Sequence, residues 1–183
     1  MIIQPNLFAL DSVLIDEDAE NDENYTPLAI VAPFRDLVGG VFDLDPFSCL
    51  RANQNIQAST YWIKADDAFA RDWTPYQRKW VNPPYSKGNI ERAVENVLSY
   101  AHIGHSFLLV NSNTSSNWFL DAQNYSTAYL TFNHRIPFLN PNKPNQNKGS
   151  GNAKSQTLFY FGKFTANQFK ACCNHLGNVS VVI

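Results

Sequence analysis

The stretch "KWVNPPYSKGNIERAVENV", residues 79 to 97, joins a strand-like run to a helix-like run through Asn82, Pro83, Pro84 and Tyr85. Proline removes a backbone donor and fixes φ, so two in succession hold the surrounding carbonyls in place. An asparagine amide oxygen beside a neighbouring backbone carbonyl makes two fixed acceptors. That pair suits an amine carrying two hydrogens. Tyr85 adds a flat face on which a planar group can stack. The plainer alternative is a rigid strand-to-helix turn with an incidental tyrosine.

Two other strand ends carry suggestive chemistry. "VFDLD" runs into Asp45, Pro46, Phe47 and Ser48, and "TYWI" is followed by "KADDAF", with Asp66, Asp67 and Phe69. A strand-end carboxylate can accept hydrogen bonds from ribose hydroxyls, and a second can take the amino group of an adenine. An adjacent aromatic can pack on its ring. Taken singly, Asp45 or Asp67 equally fits a helix cap or a turn.

These residues need a scaffold, and the sequence outlines one. "VFDLD", "TYWI", "KWVN", "SFLLVN", "AYLTF", "TLFYF" and "VSVVI" read as strands rich in β-branched and aromatic residues. Between them, "NIERAVENVLSYA" places Ile90, Ala93, Val94, Val97 and Leu98 at helical spacing. "TSSNWFLDAQN" and "TANQFKACCNHL" are shorter helix candidates. Thr26 and Pro27 read as the cap and first residue of a helix "PLAIVAPFRDLV" that ends at Gly39 and Gly40, with Pro33 a possible kink. Strands alternating with helices predict one α/β domain over 25–183 with a mostly parallel sheet. In such a sheet, ligands bind outside the carboxyl ends of the strands.

Charge divides the chain unevenly. Seven acids precede Tyr25 with no Lys or Arg among them, so residues 1–24 read as a flexible acidic arm. The rest carries all 14 Lys and Arg against the remaining nine acids, and no carboxylate side chain follows Asp121. A polyanion is one partner for such a half; a solvated basic face is the other reading. Residues 140–153, "NPNKPNQNKGSGNA", form a long polar loop, either functional or disordered. Three cysteines without a paired spacing read as reduced cytosolic thiols, neither a disulfide frame nor a zinc site. Neither a membrane span nor a secretory signal is expected. The four histidines show no ligand spacing, and no metal is expected.

The run "NPPY" after a hydrophobic strand resembles the catalytic motif of AdoMet-dependent amino methyltransferases. Thr26-Pro27, "FDLDPFSC", "DDAFARDW", "LLVNSNTSSNWF" and "HRIPF" occur in the order shown by the phage-type (Dam family) DNA N6-adenine methyltransferases, across roughly residues 25 to 161. The cofactor turn departs from that pattern: "DPFSCLRAN" keeps Asp-Pro-Phe and lacks the glycines of D-P-F-x-G-S-G. Val110-Asn111-Ser112 stands where the family often has Leu-Pro-Ala.

The resemblance implies a Rossmann-like class I AdoMet-dependent methyltransferase fold with helices on both faces of the sheet. It implies an enzyme that transfers a methyl group from S-adenosyl-L-methionine to adenine N6 in DNA, in the cytoplasm of a bacterium or phage-infected host. Asn82, Pro83, Pro84 and Tyr85 would be catalytic. Thr26, Pro27, Asp45, Pro46, Phe47, Ser48, Asp67 and Phe69 would bind the cofactor. Lys87, Arg135, Lys143 and Lys148 would contact DNA. Protein glutamine methylation, RNA adenine methylation and a catalytically decayed nucleic-acid-binding protein are the competing readings.

Overall fold

The computed structural model describes residues 24–85, 88–139 and 153–182. Most of the acidic arm, Lys87, Lys143, Lys148 and nearly all of the 140–153 loop lie outside the described residues. The elements follow in the order α1 (Leu28–Leu37), β1 (Phe42–Asp45), α2 (Leu50–Ile56), β2 (Ala58–Tyr61), β3 (Arg78–Val81), α3 (Asn89–Ser99), β4 (His105–Asn111), α4 (Asn117–Tyr125), β5 (Ala128–Phe132), β6 (Gln156–Phe161), α5 (Ala166–Cys173) and β7 (Gly177–Val181). A short 3-10 turn, Lys64–Asp66, follows β2.

The seven strands form one sheet in the order β2-β1-β3-β4-β6-β5-β7. The pairings of β1 with β2, β1 with β3 and β3 with β4 are parallel. Those of β4 with β6, β5 with β6 and β5 with β7 are antiparallel. The sheet is therefore mixed rather than mostly parallel as expected, because β6 inserts between β4 and β5 and, with β7, runs against the other five. Because β1, β3, β4 and β5 point the same way, their carboxyl ends share one edge. That edge positions the site.

Alternation along the central strands separates two apolar layers. Trp80, Phe107, Leu109, Leu158 and Tyr160 pack with Phe34 of α1 and Phe169 of α5. Val81, Leu108, Val110, Phe159 and Phe161 pack with Val94 of α3 and Phe119 of α4. Helices thus cover both faces. The predicted spacing of α3 holds, with Ile90, Ala93, Val94 and Val97 buried. The α1 helix passes through Pro33 and stops where expected: Gly39 and Gly40 take φ of +91° and +90°, and the Gly40 amide donates to the Arg35 carbonyl at 2.8 Å. None of the three cysteines is in a disulfide.

Three local expectations differ. The N-cap of α1 is Pro27, with no side-chain capping bond, so Thr26 lies one residue outside the helix. The β2 strand covers Ala58–Tyr61 rather than "TYWI". Its continuation is taken up in the turn after β1, where the Trp62 amide donates to the Asp45 carbonyl at 3.0 Å and the Ser48 amide to the Trp62 carbonyl at 2.9 Å. The α2 helix was not legible, because "LRANQNI" buries only Ala52 and Ile56. It is held by its ends instead. The Cys49 sulfur accepts from the Ala52 amide at 3.4 Å. The Asn53 side chain both accepts from Ala58 N–H at 2.9 Å and donates to its carbonyl at 3.1 Å.

On the opposite edge, Lys79 is fully buried and its ammonium donates to the carbonyls of Tyr76 (2.7 Å) and Ile103 (2.8 Å). Burial lowers its pKa to about 8. Beside this clamp, Gly104 has φ of +64°, and a Cβ there would fall 2.0 Å from the Gln77 carbonyl oxygen. Gly104→Ala is expected to cost more than about 2 kcal/mol, since it adds both a clash and a left-handed alanine. Urea denaturation measures it; an unchanged midpoint would contradict this packing.

Candidate active site

The β3 strand ends at Val81, and Asn82 is the first residue beyond the edge. Its Nδ2 donates to the Asn24 carbonyl at 3.1 Å and to Thr26 Oγ1 at 3.3 Å. Both amide hydrogens are thereby engaged, and among the described residues none donates to Oδ1. Pro83 is buried and Pro84 exposed. Tyr85 is half-buried and packs on the apolar layer below α3 and α4. Burial pushes its phenol well above the ordinary tyrosine value, opposed by a hydrogen bond to the Asn111 backbone.

Asp45, at the end of the neighbouring β1, is 2% exposed. Its Oδ1 accepts from the Phe47 amide at 3.3 Å. Burial raises its pKa to about 7, although hydrogen bonds from the Ser48 side chain and the Phe47 amide work the other way. No cation pairs with it among the described residues. Pro46 is buried, and Phe47 and Ser48 are half-buried.

Phe47 turns towards Phe69, their ring centroids 5.2 Å apart, and towards Trp73 at 6.1 Å. The Arg92 guanidinium of α3 lies 4.0 Å from the Phe69 ring centroid. The two carboxylates after β2 divide in role. Asp66 is tied down by the Ile63 amide at 2.8 Å and by Arg71 at 2.5 Å. Asp67 is exposed, in the left-handed region with φ of +46°.

Asp45, Pro46, Phe47 and Ser48 thus lie at the end of β1, with Phe69 against Phe47. Asn82 through Tyr85 follow the neighbouring β3, with Thr26 bonded to Asn82. Tyr85 packs in the same apolar cluster as Phe47, and Asp67 is exposed. Arg135 is exposed in the segment after β5. That segment is bound to the same edge: the Ile136 amide donates to Gln156 Oε1 at 3.4 Å, and Gln156 Nε2 donates to Asn111 Oδ1 at 3.1 Å and to the Lys154 carbonyl at 2.9 Å. Its far end is fastened by Tyr25, which exchanges two 2.9 Å backbone bonds with Leu139.

Sequence reasoning missed Asn24, Asn111 and Gln156. By sequence Asn24 belongs to the acidic arm, and no local pattern marks a backbone carbonyl as a partner. Gln156 stood just outside the predicted strand "TLFYF"; a polar residue leading into an unbroken apolar run was the available signal. It is fully buried, with its amide nitrogen and oxygen both bonded.

A family model described as DNA N-6-adenine-methyltransferase (Dam) matches residues 15–179 of the chain. No curated protein and no solved structure matches it. Among the described residues no helix is long and apolar enough to cross a membrane, and no three His, Cys, Asp or Glu side chains gather as a metal site. With the family match extending over nearly the whole chain, the chain belongs to the DNA N-6-adenine-methyltransferase (Dam) family of adenine-specific DNA methyltransferases.

Proposed function

We propose that the chain is a phage-type, site-specific enzyme that methylates adenine N6 in DNA at the edge formed by Asn82 and Asp45. The observation that carries this is the amide of Asn82. Its nitrogen is engaged by Asn24 and Thr26, which leaves Oδ1 as a fixed acceptor next to the Pro83 carbonyl. An adenine amino group brings two hydrogens and a lone pair delocalised into the ring. Accepting both hydrogens withdraws the nitrogen from that conjugation and frees its lone pair for the methyl group. The effect is positioning plus stabilisation of the developing positive charge. Tyr85 supplies a ring against which the base stacks once it has left the duplex. The proton leaves to solvent afterwards.

The family uses AdoMet in general, and the residues present fit it. Asp45 is a buried carboxylate without a cationic partner, which suits a ligand bringing hydroxyl or ammonium donors. Phe47 and Phe69 add apolar surface for a flat ring. AdoMet supplies a methyl group already activated by its sulfonium. Asp45, Pro46, Phe47 and Ser48 would hold it together with Phe69 and Asp67, with Thr26 and Pro27 bordering it. Arg135, with Lys87, Lys143 and Lys148, would contact phosphates; such contacts position DNA without reading its sequence.

Tritiated AdoMet offered with duplex DNA, RNA or protein tests the substrate. Label is expected in DNA adenine, and Asn82→Ala is expected to lower transfer by roughly 10²-fold or more. Undiminished transfer by the variant would remove the mechanism, and label entering protein or RNA instead would support a competing substrate.

Asp45 gives a pH test. Its folded-state pKa, about 7, lies above the ordinary 3.8. The proton is therefore held more tightly in the fold, and the associated stability is full below about pH 4 and lost as pH rises through about 7. Asp45→Asn should abolish that part of the pH dependence, which is on the order of 4 kcal/mol. Wild-type affinity for AdoMet should rise between pH 6 and 8, as the carboxylate forms, and the variant's should stay flat. Titration calorimetry across that range measures this, and equal slopes for the two proteins would contradict it.

A further inference from the structure

Resting on that reading, we infer that the strap Asn24–Thr26 is a positioning element that fixes which end of the Asn82 amide faces the substrate. An asparagine side chain can be turned over with little change of shape, exchanging an acceptor for a donor. With Oδ1 presented, the site accepts from an amine. With Nδ2 presented, it would offer hydrogens and favour a keto oxygen. The outcome therefore depends on what surrounds the amide.

The Asn24 carbonyl can only accept, so it cannot satisfy Oδ1 in the overturned state. At 3.1 Å it would face another oxygen. Thr26 Oγ1 accepts from Nδ2 at 3.3 Å; a hydroxyl can also donate, so the Asn24 carbonyl sets the sense of the amide and Thr26 holds it against that carbonyl. Thr26 is not capping α1, whose N-cap is Pro27. Its hydroxyl is instead directed at Asn82, and the residue is only 2% exposed.

The strap is itself held on both sides. The Thr26 carbonyl accepts from Asn55 Nδ2 at 3.1 Å, tying it to α2. The Tyr25 backbone is bonded in both directions to Leu139, at 2.9 Å each. A support anchored this way holds the amide in one orientation before any base arrives, which is the preorganisation that transition-state stabilisation requires. It also confers a chemical preference at the target position: an amino group over a keto group, so adenine over hypoxanthine.

Thr26→Val keeps the shape and deletes the acceptor, whereas Thr26→Ser keeps the acceptor. The valine variant is expected to lower kcat roughly tenfold, the scale of one lost hydrogen bond. Serine should restore kcat.

A second readout needs no turnover. In the protein without substrate, the side-chain amide protons of Asn82 should exchange slowly with solvent by NMR in wild type and Thr26→Ser, and rapidly in Thr26→Val. The inference is overturned if valine leaves kcat and amide exchange unchanged, if serine is as impaired as valine, or if the loss falls on AdoMet affinity alone. Failure of the wild-type enzyme to methylate DNA adenine would instead overturn the functional reading. The amide-exchange result would still report on the strap.

Discussion

The carboxylate of Asp43 fixes β3 against β1, and the site depends on that pairing. It accepts from the backbone amides of Gln77 (3.0 Å) and Arg78 (2.9 Å) and from the Arg78 side chain. Burial alone would raise its pKa, but these donors outweigh it and hold the carboxyl below its ordinary value. The result is a register in which Leu44 lies opposite Lys79. Asp45 therefore ends one strand just where β3 approaches the edge, and Asn82 emerges next to it. A slip of one residue would reverse the faces of Trp80 and Val81, which belong to different apolar layers.

From that register the site is assembled by elements far apart in sequence. The parallel strands deliver Asp45 and Asn82. The antiparallel partner β6 delivers Gln156, which ties the end of β4 to the segment carrying Arg135. The strap before α1 closes the arrangement through Asn82. The opposite edge, with Lys79 clamped between two carbonyls, has a structural duty: it holds the turns entering β3 and β4. The proposed site and this clamp occupy opposite ends of the same strands.

Much of this was legible in the sequence, for identifiable reasons. The strands of "SFLLVN" and "AYLTF" are near-continuous apolar or alternating runs, and α3 shows its buried face in the spacing of Ile90, Ala93, Val94 and Val97. The motif Asn82 to Tyr85 announces itself because two prolines restrict the backbone. What was not legible depends on distance. The α2 helix is secured by Cys49 and Asn53 at its ends rather than by an apolar face. Thr26 looked like a helix cap because Thr-Pro has that local grammar, yet its hydroxyl serves a residue 56 positions away. The mixed character of the sheet arises because β6 inserts between β4 and β5, a long-range pairing that strand propensities do not encode.

We propose that this edge presents two fixed acceptors to the exocyclic amine of adenine. It is tested most directly by nucleoside mass spectrometry of duplex DNA incubated with the protein and AdoMet bearing a trideuterated methyl group. The arrangement predicts the label in N6-methyladenine. Label in N4-methylcytosine or on a ring nitrogen, or unlabelled DNA, would contradict it.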